Sequence, residues 1–254
     1  MTAFEFKDKY DFDDLMHIVR ILRAPGGCPW DRAQTHESIR RNFIEETCEA
    51  VEAIDTKNPE LLCEELGDVL MQVALHSEMS EESGDFTIGE VTDGVCKKLI
   101  FRHPHVFGSM SAEDAEQAVA NWDKLKRVEK GQNTYTDTLT YVARTLPALW
   151  RAEKIQKKAE KSGMTAMSEV EAAKALICAA ERFAGGGGSV AAGELLFAAV
   201  RCAQMRGVDP EDALNAASDN FTEKFSEAER AAGDAGLDAM SAAEKDELWK
   251  RESE

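Results

Sequence analysis

Apolar side chains recur every three or four residues along most of this chain, and that spacing predicts amphipathic helices. The sequence has no convincing segment of alternating apolar and polar residues, which would predict a strand, and only six prolines interrupt the pattern. We therefore expect an all-α protein. The predicted helices cover residues 11–23, 36–56, 60–82, 87–102, 112–130, 145–161, 168–184, 189–206, 210–232 and 241–251.

The helical pattern occurs twice in the same order. Two segments, EETCEAVEA at 45–53 and GDVLMQVALHSEM at 67–79, align at one constant offset with EAAKALICA at 171–179 and GELLFAAVRCAQM at 193–205. A constant offset between similar segments is typical of an internal duplication. We therefore predict two related helical units, residues 1–131 and 140–254.

Composition and charge narrow the classes of function. The chain has 254 residues, of which 43% are hydrophobic, enough for one large core or two small ones. Its formal net charge of −18 argues against nucleic acid or an anionic membrane as a partner. The sequence contains no apolar run long enough to span a membrane, and its six cysteines form no CxxC pair, so we expect reduced thiols. These features predict a soluble, cytoplasmic protein.

The predicted helix over 60–82 carries acids in an apolar setting. Asp68, Gln72 and His76 share a narrow polar stripe with Glu65, and apolar residues fill both flanks of that stripe. We therefore expect this helix to be buried around most of its circumference. Buried carboxylates must be neutralised by a proton, a basic partner or a metal ion.

The preceding helix supplies a second acidic pair. Glu46 and Glu49 lie one turn apart, as Glu65 and Asp68 do on the next helix. The short TKNPE turn makes the two helices antiparallel neighbours, so the four carboxylates can converge. Four oxygen ligands without histidine or cysteine suit Mg²⁺ or Mn²⁺, and Mg²⁺ commonly shares its coordination with substrate phosphates.

Two other uses of these acids can be weighed from the sequence. An acidic face on a surface helix is often simply solvated, and a helical scaffold with such faces stays an alternative. A di-iron bundle is disfavoured, because it requires a glutamate three residues before a histidine and no histidine in this sequence has one.

Basic and aromatic residues are candidate contacts for a phosphorylated substrate. Lys98 and Arg102 lie one turn apart near the end of the predicted helix over 87–102, where they either meet phosphates or only complement the helix dipole. Trp30, in the GGCPWD turn, and Trp122 are candidates for stacking on a base, although core packing is the commoner fate of a tryptophan.

The first unit resembles the MazG family of all-α nucleoside triphosphate pyrophosphohydrolases. The resemblance rests on five segments in a fixed order: GGCPWDRAQTHESI, EETCEAVEA, EELGDVLMQV, KLIFRHPHVFG and ANWDKLK. It implies tandem MazG-like units in homodimers that complete four-helix bundles. It also implies Mg²⁺-dependent cleavage between the α and β phosphates of a nucleoside triphosphate, which gives the monophosphate and pyrophosphate. The matching positions imply metal ligation by Glu46, Glu49, Glu65 and Asp68, phosphate binding by Lys98 and Arg102, and orientation of the attacking water by Glu45.

The second unit departs from this pattern. The internal alignment places Ala172, Ala175, Ala191 and Glu194 opposite Glu46, Glu49, Glu65 and Asp68 and, after a four-residue deletion, Asn220 opposite Lys98. One acid cannot replace a cage of four, so we predict that hydrolysis resides in residues 1–131 and that the second unit is structural or regulatory. The alternative function is a non-catalytic nucleotide sensor, which would bind a triphosphate without releasing pyrophosphate.

Overall fold

A computed structural model of the protein describes residues 4–233 and 236–253. Within them the chain forms α helices, one short 3₁₀ helix and no β strand, which confirms the all-α prediction. In this described part of the chain, no helix combines the length and the apolar character needed to cross a membrane.

The ten predicted helices correspond to the ten long helices of the structure. The helices are α1 (Phe12–Arg23), α2 (Pro29–Ala33), α3 (Arg40–Asp55), α4 (Pro59–Ser83), α5 (Ile88–Arg102), α6 (Pro104–Phe107), α7 (Ala115–Glu129), α8 (Tyr135–Thr140), α9 (Ala148–Glu160), α10 (Glu169–Ala184), α11 (Ser189–Met205), α12 (Pro210–Ala231) and α13 (Ala242–Ser253), with a 3₁₀ helix at Leu237–Ala239. The sequence missed α2, α6 and α8, because helices of five, four and six residues are too short to show a period.

The chain divides into two compact units, Met1–Leu125 and Lys126–Glu254. The sequence places the boundary a few residues later, between 131 and 140. That the second unit is a degenerate copy of the first stays a prediction.

An antiparallel hairpin of α3 and α4 forms the centre of the first unit. After α3 ends at Asp55, Lys57 adopts a left-handed backbone with φ 54° that helps to reverse the chain. Asn58 then caps α4, since its side-chain oxygen accepts a hydrogen bond from the Leu61 amide at 3.1 Å. This turn aligns the C-terminal half of α3 with the N-terminal half of α4.

Helix α1 packs along the other half of α4 and closes the core of this unit. The buried apolar cluster consists of Met16, Val19, Ile39, Ala74, Leu75 and Met79. At its edge, the Arg23 guanidinium pairs with Glu82 at 2.8 Å near the end of α4. Because Ile39 directly precedes α3, the same core fixes the start of α3 and the second half of α4.

The second unit is also built on a helical hairpin, formed by α10 and α11. Its connection is Gly185–Gly188, in which Gly186 has a φ of 97° that favours glycine. Helix α9 lies against α11, and both carboxylate oxygens of Glu160 bind the Arg201 guanidinium at 2.8 and 3.0 Å.

The paired helices of the first unit leave part of their apolar surface exposed. Leu66 and Leu70 on α4 are 53% and 41% exposed, and Ile44 and Ile54 on α3 are 50% and 57% exposed. The buried positions of α4 lie between residues 72 and 80. The expectation that α4 is buried around most of its circumference is therefore wrong for its first half within one chain, because the helices packed against it here leave that flank uncovered.

Candidate metal and substrate site

Three of the predicted metal ligands converge across the α3–α4 hairpin. Glu46 and Glu49 project from successive turns of α3, and Glu65 projects from the first half of α4. One carboxylate oxygen of each residue lies within 4.8 Å of the other two. We call Glu46, Glu49 and Glu65 the acid cluster; its hard oxygen donors lie close enough together to hold a divalent cation.

Asp68, the fourth predicted ligand, lies at the edge of the acid cluster. It is outside the 4.8 Å group, yet its charge acts on two members of that group. Burial, followed by the charges of Asp68 and Glu49, raises the pKa of Glu46. Burial, followed by the charges of Glu49 and Asp68, raises the pKa of Glu65. The four acids therefore repel one another, and a bound cation would relieve that repulsion.

Gln72 continues the polar stripe of α4 beyond the acid cluster. Its side chain is buried, and its amide nitrogen donates a hydrogen bond to a carboxylate oxygen of Glu46 at 3.4 Å. Its amide oxygen has no hydrogen-bond partner within the described chain. Gln72 thus connects the acid cluster to the next turn of α4.

Two histidines meet one turn further along the hairpin. The Nδ1 atoms of His36 and His76 are 2.7 Å apart, so one nitrogen donates and the other accepts. The His36 Nε2 lies 3.3 Å from the Ser80 hydroxyl, and the Phe43 ring packs edge-on against His76 at 5.7 Å. Burial, followed by the charge of His36, lowers the pKa of His76.

A cavity of about 340 Å³ opens beside this histidine pair. We call it the histidine cavity, and its lining residues are His36, Arg40, Phe43, Val73, His76, Ser77, Phe86 and Val91. The sequence showed His76 on the polar stripe but gave no sign of its contact with His36. The predicted helix over 36–56 includes His36, but α3 begins only at Arg40, and the folded hairpin brings the two rings together.

The predicted water-orienting residue, Glu45, lies next to the acid cluster in sequence but has a different partner. Its exposed carboxylate accepts a hydrogen bond from Arg41 at 2.7 Å, four residues earlier on α3. Its role toward water stays a prediction.

The predicted phosphate-binding residues lie near the end of α5. Arg102 is buried, and its guanidinium stacks 5.0 Å from the centre of the Trp122 ring, which also contacts His103 edge-on at 4.8 Å. Lys98 is partly exposed and forms no ion pair within the described residues. The structure thus gives Arg102 and Trp122 one shared environment, and phosphate binding by Lys98 and Arg102 stays a prediction.

Trp30 lies in the short helix α2 with its side chain largely exposed. Its backbone carbonyl accepts a hydrogen bond from the Gln34 side chain at 2.9 Å, and its ring is not part of the histidine cavity. Stacking of Trp30 or Trp122 on a base stays a prediction.

The second unit has no equivalent of the acid cluster among its described residues. Glu194, the acid that the internal alignment places opposite Asp68, pairs with the Arg182 guanidinium at 3.1 Å. In this unit an arginine side chain therefore pairs with the carboxylate at the aligned position.

Sequence comparisons with known proteins point to one family. The family model described as the MazG nucleotide pyrophosphohydrolase domain matches residues 34–107, which include α3, α4, α5 and the acid cluster. The chain is 36% identical to the nucleoside triphosphate pyrophosphohydrolase/pyrophosphatase MazG of Thermotoga maritima, with 94% of each protein covered. It is 34% identical to the nucleoside triphosphate pyrophosphohydrolase of Escherichia coli K12, over 94% of this chain and 95% of the relative.

A third relative is longer than this chain. The uncharacterized protein YabN of Bacillus subtilis is 37% identical over 96% of this chain, which spans 52% of YabN. The fold and the site define an all-α protein with a carboxylate cluster across a helical hairpin. The chain belongs to the MazG family.

Proposed function

We propose that this protein is a nucleoside triphosphate pyrophosphohydrolase that requires Mg²⁺ or, in its place, Mn²⁺. One water molecule is consumed, the anhydride between the α and β phosphates is broken, and the products are a nucleoside monophosphate and pyrophosphate. The observation that carries the proposal is the convergence of Glu46, Glu49 and Glu65 within 4.8 Å. The names of the Thermotoga maritima and Escherichia coli relatives agree with this activity.

The acid cluster fits a hard divalent cation. All its donors are carboxylate oxygens, and burial together with mutual repulsion raises the pKa of Glu46 and Glu65. These are the donors that Mg²⁺ prefers, and we assign Glu46, Glu49, Glu65 and Asp68 as the ligands. Bound Mg²⁺ supplies neutralisation of the phosphate charge and a lower pKa for a water molecule.

The remaining substrate contacts follow from the sequence. We assign phosphate binding to Lys98 and Arg102 and orientation of water to Glu45, and we retain Trp30 and Trp122 as contacts of the nucleotide. Lys98 is partly exposed, and its ammonium has no ion-pair partner among the described residues. Both observations support its availability to bind a phosphate.

We also propose that two copies of the chain assemble through the hairpins of their first units. Ile44, Val51 and Ile54 of α3 and Leu66 and Leu70 of α4 are each more than 40% exposed. A two-helix hairpin with apolar side chains left in water becomes a four-helix bundle when it pairs with a second hairpin. The proposed substrate is a nucleoside triphosphate, and the proposed macromolecular partner is a second copy of the chain. We do not expect nucleic acid as a partner.

We place the protein in the cytoplasm. The structure contains free cysteines, and Cys48, Cys63, Cys96 and Cys178 are exposed. Exposed thiols persist in a reducing compartment.

Product analysis tests the proposed reaction. Each nucleoside triphosphate is incubated with the protein and MgCl₂, and the products are separated by ion-exchange chromatography. Equal amounts of monophosphate and pyrophosphate support the proposal, and their formation must stop when EDTA removes the metal. Formation of diphosphate and orthophosphate would contradict the assigned bond. Binding without any product would favour a nucleotide sensor.

A further inference from the structure

We propose that the histidine cavity binds the base of the triphosphate and that Arg40 recognises hydrogen-bond acceptors on the edge of that base. The inference rests on the proposed function, because it assigns the nucleoside end of the same substrate. It favours bases with two adjacent hydrogen-bond acceptors on one edge, namely guanine and hypoxanthine at O6 and N7 and cytosine at O2 and N3.

Position along the hairpin supports this assignment. Gln72 contacts Glu46 of the acid cluster, and His76 follows Gln72 by one turn of α4. A rise of 1.5 Å per residue puts the two positions about 6 Å apart along the helix axis. A nucleotide with its phosphates at the acid cluster can therefore extend along the polar stripe and place its base in the histidine cavity.

The walls of the cavity suit a flat aromatic ligand. Val73 and Val91 line it with aliphatic groups, and the residues Phe43 and Phe86 are 38% and 40% exposed. Exposed aromatic faces stack on nucleobases, and a mainly apolar pocket with a few convergent polar groups is typical of small-ligand sites. The volume of about 340 Å³ falls within the usual range for such sites.

The polar groups of the cavity define which base edge fits. Arg40 is exposed and forms no ion pair within the described residues, and its guanidinium carries only donors. A guanidinium pairs with two acceptors at once, as on the O6 and N7 edge of guanine. The Nδ1 atoms of His36 and His76 share a hydrogen bond, so the Nε2 of His76 can bind the ligand.

Gln72 provides an independent sign of a ligand between the two sites. Its residue is only 3% exposed, and its amide oxygen accepts no hydrogen bond from the described chain. Buried acceptors are almost always paired in folded proteins. A sugar hydroxyl, which lies between the base and the phosphates of a nucleotide, is a donor of the required type.

The test compares base selectivity in matched variants. We measure kcat and KM for GTP, UTP, ATP and CTP with saturating MgCl₂ in the wild type, Arg40→Met and His76→Leu. His17→Leu is the control, since His17 is an exposed histidine on α1 outside the cavity. Trp30→Leu tests whether Trp30, which we retain as a contact of the nucleotide, sets the base selectivity instead of the histidine cavity.

We expect the wild type to prefer GTP and CTP. Arg40→Met and His76→Leu should raise the KM for these substrates by about 10-fold and reduce the preference, with kcat within about 3-fold of the wild type. The control should match the wild type. An equal loss on all four substrates, no loss at all, or a change in selectivity confined to Trp30→Leu would overturn the proposal.

Failure of the proposed function would give a different result. If the wild type turns over no triphosphate, guanosine and cytidine are titrated without metal while the histidine ring signals are followed by NMR. Shifts of the His36 and His76 signals but not of the His17 signal would support the base site by itself. The absence of these shifts would overturn it.

Discussion

Removing one charge from the acid cluster is predicted to change stability in opposite directions with and without metal. Glu49→Gln keeps the size of the side chain and removes its charge. Carboxylate oxygens of Glu46 and Glu49 lie within 4.8 Å, and at that distance two unit charges in a water-like dielectric repel by roughly 0.9 kcal/mol. Salt screens exposed charges and reduces this repulsion, whereas Glu65, whose carboxylate oxygen is also within 4.8 Å of Glu49, adds to it. Without metal, the variant should therefore unfold about 2–4 °C above the wild type.

With metal the order reverses. Mg²⁺ at 100 times its dissociation constant stabilises the protein that binds it by about 2.7 kcal/mol. The wild type should gain this stability, and Glu49→Gln should gain less because it has lost a ligand. The assay is thermal unfolding followed by circular dichroism, with EDTA or MgCl₂ at constant ionic strength.

A matched substitution separates the metal site from general charge effects. Glu60 lies in the first turn of the same α4 that carries Glu65, but outside the acid cluster, so Glu60→Gln should respond to Mg²⁺ as the wild type does. The reasoning is refuted if Mg²⁺ stabilises Glu49→Gln as much as the wild type, or if the wild type shows no response to Mg²⁺.

Three further predictions concern packing and pH. Ile39→Ala empties a fully buried core position and should lower the unfolding free energy by about 3 kcal/mol in urea titrations, whereas Ile100→Ala at an exposed site should cost far less. Burial lowers the pKa of His76, so stability should fall as pH drops below about 6.5; His76→Leu should flatten that slope between pH 5.5 and 7.5. The hydrogen bond from Arg201 lowers the pKa of Glu160, so the ion pair stabilises the fold above pH 4.5 and loses this effect as the pH falls below that value. Glu160→Gln should therefore lower the unfolding free energy by about 1 kcal/mol at pH 7. The unfolding free energies of the wild type and the variant should converge near pH 3.

The long helices could be predicted from sequence because each presents several turns of an apolar period. The acid cluster could be predicted for a related reason: Glu46 and Glu49 are one turn apart, and the short turn after α3 forces Glu65 onto the facing helix. Local spacing and one tight connection were sufficient to bring these residues together.

The histidine cavity could not be predicted in this way. Its formation depends on the register between α4 and the irregular segment before α3, and no local period encodes that register. For Leu66 and Leu70 the sequence predicted burial, but both residues are exposed within one chain. An apolar stripe indicates that a surface will be covered, but it does not indicate whether the same chain or a second copy covers it.

Pyrophosphate release from two single variants tests the central claim most directly. Glu49→Gln removes a carboxylate from the acid cluster, and Glu194→Gln removes the acid that pairs with Arg182 in the second unit. Both variants are assayed beside the wild type with the preferred triphosphate and MgCl₂. We predict that Glu49→Gln loses at least about 100-fold in kcat, because the reaction depends on the metal held there, and that Glu194→Gln keeps the wild-type rate. Loss of activity in Glu194→Gln alone would contradict the assignment of catalysis to the first unit.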